Sequence, residues 1–188
     1  MLPTTTTLRD RIRQSVAGSD TAGLSDLVAS AITQTNRRAR RERITEVNAA
    51  ILDAAIEYNR PDLISLLPDV PHDDLRPLFS ALLGQYIRTR DEAWFSAITG
   101  IVEGLEKKGD QSQELAHLSR ILIEAGSSQS DPFLISRGMA LFSGITFRKY
   151  RSDIFSQISP TLIEWAVSRE DVEFLRSLYV MTVDIADI

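Results

Sequence analysis

The chain has no cysteine. That removes disulfides, zinc–thiolate sites, iron–sulfur clusters and a thiol nucleophile together, and it fits a reducing compartment. Histidine is scarce, with two residues in 188, which leaves little for acid–base or metal chemistry. No apolar run approaches the roughly 20 residues that span a bilayer, so no membrane span is expected. The first residues, MLPTTTTLRDR, have no positive stretch followed by an apolar one, and a cytoplasmic location is the expectation. Net charge is −5, the opposite of a surface that is basic all over, so any contact with nucleic acid has to be local.

What is present is ordinary globular material: 43% hydrophobic and 25% charged residues. A chain of this length buries enough surface to fold as one domain, expected over residues 1–188 with 1–6 flexible. Helical periodicity dominates. Apolar residues recur every three or four positions at Leu24, Leu27/Val28 and Ile32, and again at Ile44, Val47, Ile51, Ala55 and Tyr58. Similar stripes run from Leu75 to Ile87, Trp94 to Leu105 and Leu115 to Ala125, and no period-2 stretch competes. Pro61, Pro77, Pro132 and Pro160 sit near stripe starts, with Asp131 and Ser159 as N-caps. Gly109 and Gly126 suit the left-handed position after a helix. About nine or ten helices are expected.

Three links between stripes resemble one another: AIEYNRPDLISLL (55–67), QYIRTRDEAWFSAI (85–98) and EWAVSREDVEFLRSL (164–178). Each has an apolar helix end, an arginine (Arg60, Arg90, Arg169), an acid, and a new stripe. A fourth, SSQSDPFLISRGM (127–139), keeps the acid without the arginine. Acid near a helix start and cation near a helix end are what the helix dipole favours. The spacing falls in the range of helix-pair repeats. The expected fold is therefore all-α, an α–α superhelix or degenerate helical repeat. It is similar in general layout to HEAT, armadillo and tetratricopeptide arrays but lacks their defining residues; a compact orthogonal helical bundle is the alternative. The last helix, SLYVMTVDIADI, leaves Leu178, Val180, Met181 and Val183 to meet either a second copy, a partner or the chain's own core.

Catalytic signals are sparse. No Gly-rich phosphate loop, zinc-protease, nucleophile-elbow or calcium-loop pattern occurs, so no cofactor and no enzymatic activity are expected; a carboxylate-based enzyme is the remaining alternative of that class. His72, beside Asp73 and Asp74, reads as a helix-start residue rather than a metal ligand. Glu114-x-x-His117 has the spacing of one half of a carboxylate-bridged di-iron site, but the second pair is missing, so His117 reads as a boundary residue. Gly100 and Gly104 read as a close helix–helix approach. The patch Phe147, Arg148, Lys149, Tyr150 and Arg151 mixes cations with rings able to stack on bases; a helix C-terminus with the rings packed inward is the preferred reading.

The strongest lead is TNRRARRERITE, with Arg37, Arg38, Arg40, Arg41 and Arg43 inside seven residues. Extended backwards on the helix of Ile44 to Tyr58, these side chains surround the axis, so the segment has to stand beyond the core. Cations are better placed at the end of the Leu24–Ile32 helix than at the start of the next, which suggests a break near Asn36 or one helix running through. Residues 37–46 carry a net +3, while the other 178 residues hold 16 cations against 24 anions. The expectation is a non-enzymatic protein-interaction module or scaffold whose arginines select an acidic partner surface, with homo-oligomerisation through the last helix as a second possibility. Local RNA or DNA binding through the arginines is the alternative.

Overall fold

In a computed structural model the described residues are 7–33, 37–68, 70 and 72–186. The expected flexibility of residues 1–6 lies outside them. The described residues contain helices and no strand: α1 (Leu8–Ala17), α2 (Thr21–Ile32), α3 (Arg37–Glu57), a 3₁₀ helix (Pro61–Leu66), α4 (His72–Thr89), α5 (Glu92–Glu103), α6 (Lys108–Ser128), α7 (Pro132–Ser143), α8 (Arg148–Ser168) and α9 (Val172–Ala186). The chain forms two compact units, Met1–Ile98 and Thr99–Ile188.

One link geometry recurs. Ser19, Asn59, Arg90, Ser130 and Glu170 all have φ between 51 and 58°, and no glycine among the described residues has positive φ. In four links the left-handed residue and its successor close a Schellman turn: Asp20 N–H to Ser15 O at 2.9 Å, Arg60 to Ala55 at 2.8 Å, Asp131 to Gly126 at 2.7 Å and Asp171 to Ala166 at 3.0 Å. At Arg90 the simpler single bond to Tyr86 O, 2.8 Å, does the same work. The next helix starts at once, because the following Asp caps it. Asp20 accepts from Gly23 N–H, Asp91 from Ala93, Asp131 from Phe133 and Leu134, and Asp171 from Phe174. Arg60 holds that place in the remaining link without a side-chain cap, followed by Pro61 at the first helical position. These left-handed residues lie 40, 31, 40 and 40 positions apart.

The arginines that drew attention to the links are not equivalent. Arg60 follows the left-handed residue, Arg90 is that residue, and Arg169 precedes it. The shared element is a left-handed residue followed in four links by Asp, including Ser19–Asp20, which has no arginine and escaped the sequence comparison.

In the first unit Arg9 and Arg13 of α1 pair with Asp53 and Glu57 of α3, the second at 3.1 Å. Both partners step by four residues in the same sense, so the two helices run parallel. Ile12, Leu24, Val47, Ile51, Leu63, Leu75, Phe79, Tyr86 and Trp94 are buried there. In the second unit α6 packs on α7 and α8, and α8 on α9. Starts and ends of α6 and α8 meet their counterparts: Ser112 bonds Thr146 at 3.0 Å near the starts, and Ser130 receives Arg169 past the ends. Those helices are parallel too.

Several local expectations are corrected. Pro160 and Ser159 do not begin a helix; they lie inside α8, whose buried face runs without interruption from Ile154 and Phe155 through Ile158 and Leu162 to Trp165. Packing along that face outweighs the single lost backbone bond. Pro77 likewise lies inside α4, which starts at His72. Gly109 and Gly126 are within α6, not past an end. Gly126 is needed for closeness instead: a Cβ there would stand 2.7 Å from Ile135 Cγ1 and 2.8 Å from its nitrogen. Gly138 of α7 has the same task against Ile123 and Ser119. Gly100 has nothing within 4 Å of a built Cβ, and Gly104 meets only the carbonyls of Gly100 and Ile101, so the expected close approach is not there.

Candidate functional site

The arginine segment opens α3. The sequence expectation that placed the cations at a helix C-terminus is overturned: they occupy the first two turns of α3, at the positive end of its dipole. The proposed break at Asn36 and the side chain of Arg37 lie outside what the structure describes. Burial on α3 begins only at Val47, and Arg38, Arg40 and Arg41 are exposed, so this end stands clear of the core as the ring of charge requires.

Local acids moderate the charge. Arg38 Nε donates to Glu42 at 2.9 Å, and Arg43 Nη1 to Glu46 at 2.5 Å. Both are one-turn pairs on an exposed face, contributing a few tenths of a kcal/mol each. Asp74, near the start of α4, accepts from Thr45 at 3.0 Å, which brings a third carboxylate beside the segment. Arg40 projects with 89% exposed Arg38 on the same end of the helix. The arrangement joins exposed cations to a helix N-terminus, and its chemistry is attraction for anions.

The second basic patch is also at a helix start. Phe147 occupies the N-cap of α8, and Arg148, Lys149 and Arg151 lie in its first turn, which corrects the expected C-terminus. The capping is done from outside: the hydroxyl of Ser112, buried on α6, accepts from Thr146 and Phe147 N–H at 3.3 and 3.4 Å. The rings split. Tyr150 packs against the core and donates to Gln113 at 3.4 Å, whereas Phe147 is 47% exposed. Arg151 lies over the Phe142 ring at 5.5 Å, and Arg148 reaches the Ile185 carbonyl at 3.3 Å. Two of the three cations are thus engaged within the unit.

Glu114 is buried on α6, with His117 half-buried one turn on, but among the described residues no three metal-ligating side chains gather. The side chain of His72 is outside the description. A shallow hollow between Ser15, Ser19, Asp20, Leu24, Arg60 and Leu63 has no room to enclose even a water molecule and is not a ligand pocket. Arg60 there is turned to Asp62, with bonds of 2.8 and 2.7 Å. That pairing holds the Asp62 carboxyl below the usual carboxylate range and raises the guanidinium. On the last helix the expected outward set divides: Leu178 is buried and Met181 packs on the core, while Val180 and Val183 are exposed. No helix among the described residues is long and apolar enough to cross a membrane.

Comparison with family models, with curated proteins and with solved structures finds no match to this chain.

Proposed function

We propose that this chain is a non-enzymatic protein-interaction module, laid out as a degenerate helical repeat, in which Arg38, Arg40 and Arg41 with their neighbours Arg37 and Arg43 select an acidic partner surface. The observation that carries the reading is the exposed, arginine-bearing start of α3 standing beyond the buried part of its own helix. The macrodipole and the cations act in the same sense on an incoming carboxylate. Guanidinium groups add bidentate geometry. The repeat layout is supported by the recurring left-handed link, whose residues lie 40, 31, 40 and 40 positions apart. An open array offers a concave surface, which a closed bundle does not.

A net charge of −8 on the other 178 residues weakens attraction for a long polyanion and favours a short acidic segment. The test is fluorescence anisotropy of labelled polyglutamate, RNA and duplex DNA, titrated with wild-type protein and with Arg38→Glu/Arg40→Glu/Arg41→Glu. Binding of polyglutamate above both nucleic acids, lost on charge reversal, supports the proposal. Tighter binding of RNA or DNA, with a steep salt slope lost on reversal, would replace it with the nucleic-acid reading. Small-angle scattering tests the layout: a maximum dimension no larger than that of a sphere of equal mass would refute the open repeat.

A further inference from the structure

Five arginines and two glutamates share residues 37–46, and they are not evenly spread around α3. Arg38 and Arg43 each have an acid one turn on, and both pairs form: Arg38 Nε donates to Glu42 at 2.9 Å and Arg43 Nη1 to Glu46 at 2.5 Å. Arg40 has Arg43 and Ile44 at the corresponding positions. At about 100° per residue, Glu42 and Glu46 fall roughly 120–160° around the helix from Arg40. Arg40 itself lies within about 20° of the line through Val47 and Ile51, both of them buried. It therefore continues the core-facing line past its end, while the two exposed acids stand on the solvent side.

The helix itself gives these acids little reason to be there. Both lie beyond the first turn of α3, where the dipole no longer favours an anion, and exposed one-turn pairs add little to stability. Their larger effect is on what can approach. Residues 37–46 span about 15 Å of helix, a length over which duplex DNA carries roughly nine charges at one per 1.7 Å. A duplex laid along the segment cannot avoid the acids: each glutamate has either to face a phosphate or to give up its arginine. A short carboxylate-bearing segment that reaches only the Arg40 side meets neither.

We propose that Glu42 and Glu46 are specificity-determining residues of the arginine segment, which turn away a continuous polyanion while leaving Arg40 open to a short acidic peptide. The inference rests on the reading of that segment as a binding site. It adds the built-in competitor that decides which anions the site accepts, through repulsion on one side of the helix and attraction on the other. Replacing both glutamates by glutamine keeps the side-chain length and the helix propensity, and takes residues 37–46 from a net +3 to five uncompensated arginines.

Anisotropy titrations of a short labelled glutamate peptide and a labelled DNA duplex across a salt series test it, with wild type, Glu42→Gln/Glu46→Gln and Arg38→Glu/Arg40→Glu/Arg41→Glu. In the glutamine variant duplex affinity is expected to rise at least about tenfold, and its log–log salt slope to steepen by about 1.5–2, as two more phosphates are neutralised at about 0.9 each. Peptide affinity is expected to change less than about threefold, with helicity by circular dichroism unchanged because both glutamates are exposed. Asp153→Asn/Glu164→Gln makes the same change in net charge on exposed residues of the second unit and is expected to leave the duplex slope as in wild type. An unchanged duplex slope in the glutamine variant, equal gains for both ligands, or the same gain in the control would overturn the proposal. If the arginine reversal abolishes peptide binding while the duplex slope of the glutamine variant stays at the wild-type value, only this inference fails. If wild type does not bind the peptide, or the reversal leaves its binding intact, the binding-site reading falls and takes this inference with it.

Discussion

The guanidinium of Arg169 donates to the carbonyl of Ser130 at 2.6 Å while lying 4.9 Å from the centre of the Trp165 ring. One side chain at the end of α8 thereby satisfies the left-handed link that follows α6, 39 positions earlier in the chain. It ties successive links together along one edge of the second unit. Arg169→Ala removes a charge-assisted bond and a cation–π contact, both on an exposed edge, and about 0.5–1.5 kcal/mol of stability is expected to go. Arg169→Lys keeps the charge but not the flat stacking surface and is expected to fall between. Urea denaturation of the three proteins checks the order.

In the first unit Asn59 ties the links differently. Its Oδ1 accepts from Gln85 Nε2 at 3.3 Å and from the buried Trp94 indole at 3.1 Å, while its backbone is left-handed at φ 51°. Two substitutions separate the roles. Asn59→Gly keeps the conformation but strands the Trp94 N–H, at a cost of about 1–3 kcal/mol. Asn59→Ala adds the left-handed penalty of roughly 1 kcal/mol and is expected to be the less stable of the two. Equal stability of the two variants would refute the conformational part.

Much of the helix content was legible because periodicity is a property of several residues at once: Val47, Ile51 and Ala55 cannot all be displaced by one misread neighbour. Single-residue signals fared less well. Asp131 before Pro132 caps a helix, yet Ser159 before Pro160 does not, because the buried face of α8 already runs through it from Ile154 to Trp165. Glycine was sought where the backbone turns left-handed, but those places went to Ser, Asn, Arg and Glu, and glycine went to Gly126 and Gly138, where helices touch. The arginine segment was found by composition alone. Its place at the start of α3 was not, because dipole preference is worth less than 1 kcal/mol per charge and yields to other demands.

Gly138 and Gly100 make a paired test of that division. A methyl at Gly138 would come within 2.6 Å of Ile123 Cγ1 and 3.0 Å of the Ser119 carbonyl. Gly138→Ala is expected to cost roughly 1–3 kcal/mol despite its better helix propensity. Gly100→Ala meets nothing within 4 Å on an exposed helix face and is expected to gain about 0.5–1 kcal/mol. Opposite shifts in melting temperature would confirm both assignments.

Acid sensitivity follows from the carboxylates held below their usual range. For Asp62 the cause is chiefly the hydrogen bonds from Arg60, and for Asp10 those with Thr7 in the capping box of α1. A folded-state value below the unfolded one means that the stabilisation is fully present above the ordinary carboxylate pKa and is lost as pH falls through the lowered value. Asp62→Asn is therefore expected to be less stable than wild type at neutral pH and to converge with it on strong acidification. Urea midpoints across an acid series read the difference; a gap that stays constant with pH would exclude the ionised pair as its source.

The position of Arg40 allows the structural and functional meanings of the arginine segment to be pulled apart. It lies in the first turn of α3, exposed, where a cation opposes the helix dipole. Arg40→Glu reverses that term and places a carboxylate three residues before Arg43, an attractive spacing on a helix. Roughly 0.3–1 kcal/mol of added stability is expected, read as a higher melting temperature in dilute buffer and a smaller gain at high salt. A segment kept only as a helix start has no reason to retain a residue that costs it stability. A segment kept to meet an acidic surface does, and the same variant is then expected to bind polyglutamate several-fold more weakly. Gain of stability together with loss of binding supports the interaction reading; gain of stability with binding unchanged would leave Arg40 outside the contact.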